Sequence, residues 1–250
     1  MFASPGSPGL TPRPPLSPIT FRSGTVVGVT RQLRIGLIVA AIAIAVYALM
    51  WFGYRWHWLD GIESATMRPL HQYGVHHHGW ARFWNVFCAV LGPTGFRVLG
   101  AGVIVIAVLR RNLRAALFLV ATMWLSGYVT DLAKAIAGRP RPPGALVDAG
   151  LSSFPSGHAL DVMAAVLALL TVSAGLFAGR LRTVATVLGA LIVISVGVGR
   201  VLLNVHYPSD VLAGWALGYL WFFLCLLVFR PVPLATATAP HITSAPAASR

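Results

Sequence analysis

The order of apolar and polar positions along the chain predicts a series of membrane-crossing helices. Apolar residues continue almost unbroken over several stretches, most of which have about the 20 residues that an α-helix needs to cross a bilayer core. The second stretch is shorter because Gly92 and Pro93 predict a turn or a break in the run that begins at Phe83. The predicted spans are at about 35–54, 94–109, 115–133, 158–177, 183–203 and 208–229. We therefore predict an all-α fold, a polytopic membrane helical bundle with about six transmembrane helices.

The segments without an apolar pattern define the rest of the organisation. Residues 1–34 are rich in Pro, Ser and Gly, and residues 231–250 are rich in Pro, Ala, Thr and Ser. Such segments cannot bury a core, so we predict two disordered tails around a membrane domain at 35–230. Residues 55–95 are mixed and rich in Trp and His, which predicts an extramembrane loop with short amphipathic helices.

Composition supports the membrane interpretation and argues against a nucleic-acid partner. Hydrophobic residues make up 57% of the chain and charged residues 10%, whereas a soluble domain carries about a quarter charged residues. The net charge of +13 would suit nucleic acid only if Lys and Arg formed a patch. Here the arginines stand at the ends of apolar runs, where they anchor helix ends in the interface.

The arginines also predict an orientation. With an even number of spans, both tails and the short turns at 110–114 and 180–182 lie on the same side of the membrane. These segments carry many of the arginines, so the positive-inside rule makes this side cytoplasmic. We therefore predict a bacterial-type plasma membrane protein whose opposite face is extracytoplasmic.

Polar residues concentrate in three stretches at that opposite face, at 134–142, 155–158 and 200–210. Cations outnumber acids there, and such a pocket is costly unless an anion completes it. The cations are Lys134, which is the only lysine, Arg139, Arg141 and Arg200. We expect the missing anion to be the substrate.

Two helix starts add anion-binding groups to these cations. Ser156 and Gly157 open the fourth span, and Pro208 suits the first helical position of the sixth. A helix N-terminus offers free backbone N–H groups and a dipole that favours negative charge. The sequence therefore predicts a phosphate site.

Histidines at both helix starts point to chemistry beyond binding. His158 and His206 are suited to proton transfer near neutral pH. Asp210 follows His206 by four residues, a spacing that lets its carboxylate accept the N–H of one ring nitrogen and leave the other as nucleophile or base. This arrangement indicates phosphoryl transfer through histidine.

The spacing of these residues resembles that of a known family. The three ordered blocks are Lys134-x6-Arg141-Pro142, Pro155-Ser156-Gly157-His158 and Arg200-x5-His206-x3-Asp210. They resemble the type 2 phosphatidic acid phosphatase family, within the superfamily of acid phosphatases and vanadium haloperoxidases. The resemblance covers the motifs at 134–210 and the membrane frame from roughly 80 to 230. One departure is Gly199, where the family usually has Ser before the third-block arginine.

The resemblance implies an integral membrane lipid phosphatase that hydrolyses a phosphomonoester or a pyrophosphate, on a lipid such as phosphatidic acid or a polyprenyl pyrophosphate. It implies that His206 attacks phosphorus to give a phosphohistidine and that Asp210 orients its ring. His158 would protonate the leaving oxygen and then activate water. The implied phosphate-binding residues are Lys134, Arg141, Ser156, Gly157 and Arg200. No metal and no other cofactor is implied.

Two alternative functions remain open at this point. A non-catalytic lipid-phosphate binder or transporter would retain the pocket without turnover, although binding alone does not need His158, His206 and Asp210. A vanadate-dependent haloperoxidase would use His206 to coordinate vanadate, but those relatives are soluble.

Several further residues receive structural interpretations. Arg139 lies off the family spacing, and both a supporting role in the pocket and a solvated loop position remain open. The histidines at 76–78 predict an exposed loop rather than a metal site. Asp131 and Asp161 are interpreted as structural, with Asp161 placed to favour the dipole of the fourth span. The two cysteines are predicted to be core residues without a disulfide.

Overall fold

A computed structural model of the chain describes residues 23–150 and 152–234, with side chains from residue 31 onward. The described residues are largely helical and contain no β-strand. The helices are α1 (Ser23–Arg55), α2 (Asp60–His76), α3 (His78–Val90), α4 (Pro93–Leu109), α5 (Leu113–Trp124), α6 (Ser126–Ala137), α7 (Gly157–Val172), α8 (Gly179–Leu202) and α9 (Pro208–Phe229), with a 3-10 turn at Ser173–Gly175.

Six helical stretches of the described chain are long and apolar enough to cross a membrane, which confirms the predicted bundle. They are Arg31–Arg55, His78–Leu109, Leu113–Ala137, Gly157–Gly175, Gly179–Leu202 and Pro208–Phe229. The second stretch contains α3 and α4, and the third contains α5 and α6. Part of the segment predicted as an extramembrane loop is therefore an apolar helix, α3, that continues into the second span.

The break between α3 and α4 lies where the sequence predicts it. Pro93 occupies the first position of α4, after an extended Gly92. A Cβ atom on Gly92 would lie 1.9 Å from the carbonyl oxygen of Cys88, so only glycine permits this turn. The sharp connection between α3 and α4 thus follows from two adjacent residues.

The break between α5 and α6 at Leu125 was not predicted. Neither proline nor glycine precedes it, but two hydroxyl side chains bond to the helix backbone around it. Thr122 Oγ1 donates to the Phe118 carbonyl at 2.7 Å, and Ser126 Oγ donates to the Met123 carbonyl at 3.2 Å. Such bonds compete with the helical ladder and bend helices, which accounts for the interruption.

The described structure reaches into both of the segments predicted as tails. Helix α1 begins at Ser23, within the predicted N-terminal tail, because the last proline before it is Pro18 and nothing beyond that residue blocks a helix. At the other end Leu234 is buried, and its backbone N–H donates to the Val172 carbonyl at 2.8 Å. The remainder of both predicted tails, 1–22 and 235–250, lies outside the described residues.

Helix α7 forms the centre of the bundle. It packs against α4, α5, α6, α8 and α9, and α1 covers the outer side of α9. The contact between α7 and α9 is unusually close because glycines of α9 face the α7 backbone. A Cβ atom would lie 2.6 Å from the Ser156 carbonyl oxygen at Gly214 and 2.5 Å from the Leu160 carbonyl oxygen at Gly218. The starts of α7 and α9 are therefore held side by side.

We expect Gly214→Ala to lower the stability of the protein, because the new methyl group would push α9 away from the α7 backbone. Overpacking of this kind costs about 1–3 kcal/mol. The measurement is the apparent thermal midpoint of the purified protein in detergent. Gly102→Ala is the matched control, since a Cβ atom at Gly102 in α4 meets no atom within 4 Å. Equal midpoints for the two variants would contradict the close contact between α7 and α9.

Candidate active site

Three segments that are far apart in the sequence meet at one end of the bundle. Lys134 stands in the last turn of α6 and Arg200 in the last turn of α8, while α7 and α9 begin there. The backbone N–H of Ser156 donates to the carbonyl of Asp210 at 2.9 Å and joins the two helix starts. The residues that the sequence predicts for the site all lie at this end: His206, His158, Asp210, Lys134, Arg141, Ser156, Gly157 and Arg200.

His206 is buried between a carboxylate and a guanidinium group. Its Nε2 lies 3.3 Å from Nη1 of Arg141, and its Nδ1 lies 3.6 Å from Oδ2 of Asp210. Because a guanidinium group only donates hydrogen bonds, Nε2 carries the lone pair in this contact and the ring proton is on Nδ1. The 3.6 Å separation is longer than the hydrogen bond expected from the sequence. Oδ2 of Asp210 instead accepts the backbone N–H of Tyr207 at 2.8 Å.

The surroundings of His206 keep its ring neutral. Burial lowers the pKa of His206 to about 4, although the Asp210 carboxylate acts in the opposite direction. A neutral imidazole with a lone pair on Nε2 is the nucleophilic form of the side chain. The ring is therefore ready for attack at neutral pH without first losing a proton.

Both carboxylate oxygens of Asp210 accept hydrogen bonds, which fix the position of the side chain. Oδ1 accepts a hydrogen bond from Nη1 of Arg139 at 2.7 Å, and Oδ2 accepts from the Tyr207 backbone. The other guanidinium nitrogen of Arg139, Nη2, forms an ion pair with Oε2 of Glu63 at 2.5 Å. Ser209 completes the cluster, since its hydroxyl accepts from Arg139 and donates to Glu63. Every charged group in this cluster has a partner.

Arg139 therefore belongs to the support of the site and is not a solvated loop residue. Only 5% of its side chain is exposed, and the rings of Tyr54 and Tyr207 lie 4.9 and 4.0 Å from its guanidinium carbon. Burial by itself would lower the pKa of Arg139, but the carboxylates of Asp210 and Glu63 outweigh it and raise the pKa. Because these acids balance its charge, Arg139 does not belong to the uncompensated cation pocket that the sequence predicts.

Sequence reasoning missed Glu63 altogether. It lies in α2, within the segment predicted as a loop and outside the family resemblance. The available signal was the scarcity of acidic residues, since the chain has only 6 of them. A buried acid needs a cationic partner. Nothing in the sequence identified that partner as Arg139.

Three other cations of the site form no ion pair with an acid among the described residues: Lys134, Arg141 and Arg200. Nε of Arg200 and Oγ of Ser156 are buried and have no hydrogen-bond partner among the described residues. Buried polar atoms of this kind are costly unless a ligand satisfies them. Cationic and hydroxyl donors suit the oxygens of a phosphate group, so the arrangement fits an oxyanion.

The glycine that departs from the family pattern has a packing reason. A Cβ atom on Gly199 would lie 2.6 Å from Sγ of Cys88 and 2.9 Å from the ring of Trp84. Helix α3 thus approaches α8 too closely for the usual serine, and the Cys88 thiol lies beside Arg200 instead. Both cysteines are buried, which confirms their predicted place in the core, and both are free thiols.

His158 stands at the second position of α7 and borders a cavity. It is within electrostatic reach of His206, Arg200 and Lys134. The cavity has a volume of about 390 Å³ and is formed by the α3–α4 connection together with α6 and α7. His158 therefore lies near the cation cluster and beside an open space, the placement needed to pass a proton to a leaving group.

The histidines at 76–78 play no part in this site. They are exposed, as predicted, but they lie at the junction of α2 and α3 rather than in a loop. His77 stacks on Tyr73, with ring centroids 3.9 Å apart. Among the described residues, no group of three His, Cys, Asp or Glu side chains is placed to hold a metal ion.

Comparison with known proteins gives a consistent picture. The PAP2 superfamily matches the chain over residues 115–232. Decaprenylphosphoryl-5-phosphoribose phosphatase of Mycobacterium tuberculosis is 32% identical over 159 residues, which are 62% of this chain and 73% of that protein. Phosphatidylglycerophosphatase B of Bacillus subtilis is 38% identical over 89 residues, which are 34% of this chain but only 44% of that relative.

A solved structure shows the same fold. The crystal structure of a transmembrane PAP2 type phosphatidylglycerolphosphate phosphatase from Bacillus subtilis matches 78% of this chain and 96% of its own chain. The TM-score is 0.55, with 24% sequence identity. At this identity the comparison bears on the fold rather than on the substrate.

We expect Arg200→Gln to weaken binding of orthovanadate, a phosphate-like oxyanion, by about 10- to 150-fold, because it removes a charged donor worth about 1.5–3 kcal/mol. Calorimetric titration of the detergent-solubilised protein measures this affinity. Arg114→Gln, at an exposed arginine near the start of α5, should bind as the wild type does.

Ser156→Ala provides a second test that removes no charge and little volume. We expect it to weaken orthovanadate about 2- to 12-fold, the effect of losing one neutral hydrogen bond. Wild-type affinity in both site variants would show that these buried donors do not face an oxyanion.

Proposed function

The chain belongs to the PAP2 superfamily, and on that premise we propose that it is an integral membrane phosphatase that hydrolyses a phosphomonoester or a diphosphate carried by a lipid. The observation that carries the proposal is the position of His206: a buried, neutral imidazole whose Nε2 faces Arg141 and whose Nδ1 faces Asp210. A binding protein has no need of such a nucleophile. The relatives from Bacillus subtilis and Mycobacterium tuberculosis are both named as phosphatases, which supports the same reaction.

In the first step, Nε2 of His206 attacks phosphorus and forms an N–P bond while the P–O bond to the leaving group breaks. The leaving oxygen takes the proton of His158. Asp210 stabilises the positive charge that develops on the ring, and its own position is fixed by Arg139. The products of this step are a phosphohistidine on His206 and the leaving group, which is an alcohol for a phosphomonoester and a lipid monophosphate for a diphosphate.

In the second step, water replaces the histidine. His158, now without its proton, accepts a proton from the water molecule, whose oxygen attacks phosphorus. The N–P bond breaks, and inorganic phosphate leaves a neutral His206. Both residues return to their starting forms, so no proton is gained or lost by the protein.

Three cations supply the electrostatic stabilisation in both steps. Lys134, Arg141 and Arg200 can hold the phosphoryl oxygens, together with the Ser156 hydroxyl and the backbone N–H of Gly157 at the start of α7. Preorganised donors at developing charge commonly contribute several kcal/mol. This set of donors provides the charge that metal ions provide in other phosphoryl-transfer sites.

The location of the site at the extracytoplasmic face is part of the proposal. The end of the bundle opposite the site contains the turn after α4 and the segment after α9, since Nδ2 of Asn112 donates to the Val232 carbonyl at 2.8 Å. Arginines accumulate at this opposite end, which favours the cytoplasm. The substrate phosphate would then be removed at the outer surface of the plasma membrane.

The first test measures phosphate release by the purified, detergent-solubilised protein in the presence of EDTA. We expect the wild type to release phosphate from phosphatidic acid or a polyprenyl diphosphate and His206→Ala to lose at least about a thousandfold in rate, because the nucleophile is absent.

His158→Ala should slow phosphatidic acid hydrolysis by about 10²- to 10⁴-fold, the usual contribution of a general acid. A label on the terminal phosphate of the diphosphate should accumulate on His206 in this variant, because that leaving group needs less protonation.

Arg114→Ala serves as the control variant and should match the wild type. Equal inactivity of the wild type and His206→Ala, with lipid phosphate still bound, would favour the non-catalytic binder or transporter. Peroxide-dependent halogenation on addition of vanadate would favour the haloperoxidase. Turnover without any acid-labile, base-stable phosphoenzyme would contradict the phosphohistidine.

The orientation has a separate test in cysteine labelling of intact cells. Ala145 is exposed between α6 and α7 at the site end, and Ala178 is exposed before α8 at the other end. We expect an impermeant thiol reagent to label Ala145→Cys in intact cells and Ala178→Cys only after lysis. The native cysteines should give little background because both are buried. The reverse pattern would place the site in the cytoplasm.

A further inference from the structure

Glu63 is the buried acid of α2, and the reaction described above gives it no role. Only 3% of the residue is exposed. Its Oε2 pairs with Nη2 of Arg139, and its Oε1 accepts hydrogen bonds from the hydroxyl and the backbone N–H of Ser209. Arg139 donates in turn to Asp210, which follows Ser209 in the first turn of α9. Glu63 is therefore separated by one side chain from the carboxylate that faces His206.

The negative charge of Asp210 lies among cations. Nη1 of Arg139 donates to its Oδ1 at 2.7 Å, and Arg141 is within electrostatic reach of it. The ring of His206 responds to this balance of charge. Burial and the Arg200 guanidinium group lower the pKa of His206, whereas the Asp210 carboxylate raises it. Additional positive charge beside Asp210 would therefore weaken the acid that favours a cationic ring.

Glu63 offsets the cation that is closest to Asp210. Arg139 forms ion pairs with Glu63 at 2.5 Å and with Asp210 at 2.7 Å, so that two carboxylates share one guanidinium group. No more than 5% of any of these three side chains is exposed, and solvent screens buried charges far less than exposed ones. The three side chains together carry one negative charge in excess. Arg139 can thus fix the position of Asp210 without cancelling the charge that faces His206.

The other acid of α2 does not replace Glu63. Asp60 lines a cavity of about 250 Å³ together with Glu63 and Arg139. Its side chain is 54% exposed and pairs with Nδ1 of His57 at 2.9 Å, so solvent and salt screen its charge. Among the described residues, no acid besides Glu63 and Asp210 forms an ion pair with Arg139. Removal of the Glu63 charge would leave Asp210 as the sole acid paired with this guanidinium group.

We propose that Glu63 is a positioning residue of the reaction, which offsets the charge of Arg139 so that the charge of Asp210 acts on His206. The inference rests on the proposed phosphatase function. As the N–P bond forms, the ring of His206 becomes cationic because its Nδ1 proton stays in place, and Asp210 stabilises that charge. Glu63 acts through Arg139 and Ser209, and the phosphate is bound by other residues. Its effect therefore belongs to phosphoryl transfer and not to phosphate binding.

The experiment separates the charge of residue 63 from its shape. Glu63→Gln keeps the shape and removes the charge, whereas Glu63→Asp keeps the charge and shortens the side chain. We measure kcat with phosphatidic acid or the polyprenyl diphosphate, whichever the wild type hydrolyses faster. We expect kcat to fall about 10- to 100-fold in Glu63→Gln and less in Glu63→Asp, because a buried charge close to the ring is lost only in the first. The competitive inhibition constant of inorganic phosphate should rise by no more than about twofold in either variant.

Two further variants complete the comparison. Asp60→Asn is the matched control, since it removes an exposed acid from the same helix and the same cavity, and its kcat should equal that of the wild type. Glu63→Gln combined with Arg139→Gln removes both charges and leaves Asp210 with its own. We expect this double variant to exceed Glu63→Gln and to keep at least about a tenth of the wild-type kcat. The second expectation still tests the inference if Glu63→Gln does not fold.

The outcomes separate this inference from the function on which it rests. Wild-type kcat in Glu63→Gln, or a greater loss in Glu63→Asp than in Glu63→Gln, would overturn the role of the charge and leave the lipid phosphatase standing. An inhibition constant of phosphate that rises in proportion to the loss of kcat, or a double variant slower than Glu63→Gln, would make Glu63 a purely structural residue. Release of phosphate from neither lipid by a folded wild-type protein would overturn the phosphatase itself, and this inference with it.

Discussion

The site depends on the two ion pairs that the buried guanidinium group of Arg139 forms with Glu63 and Asp210. This group joins Glu63 of α2 to Asp210 of α9, and through Asp210 it fixes the backbone at Tyr207 and the charge that faces His206. A buried ion pair of this kind adds little net stability over apolar packing, but removal of one partner leaves a desolvated charge and is costly. The cluster therefore enforces one arrangement of α2, α9 and the segment after α6.

The three cations of the site that form no ion pair differ from Arg139 in this respect. Arg139 is balanced by two acids, whereas Lys134, Arg141 and Arg200 have no such balance among the described residues. The protein thus separates a satisfied network that positions Asp210 from an unsatisfied one that can receive an anion. Charge that awaits a substrate is more effective in catalysis than charge already neutralised, because it need not be reorganised when the reaction occurs.

Close helix packing brings these two networks together. Glycines of α9 allow its backbone to meet that of α7, so that the helix starts carrying Ser156 and Asp210 lie within one hydrogen bond of each other. Gly199 plays a comparable part between α8 and α3, where it admits Trp84 and Cys88 beside Arg200. His158 then lies within electrostatic reach of the three cations and lines a polar cavity.

The sequence by itself determined the features that depend on neighbouring residues. Apolar runs set the membrane-crossing stretches, Gly92 and Pro93 set the break before α4, and the spacing within each block identified the residues predicted for the site. Only the tertiary structure decided the partners of those residues. Glu63 and Arg139 pair across 76 positions, and the break at Leu125 and the cavity beside His158 likewise depend on how helices and hydroxyl groups meet. Periodicity and motif spacing describe contacts along one segment, whereas burial and charge pairing arise between segments that pack only after the chain folds.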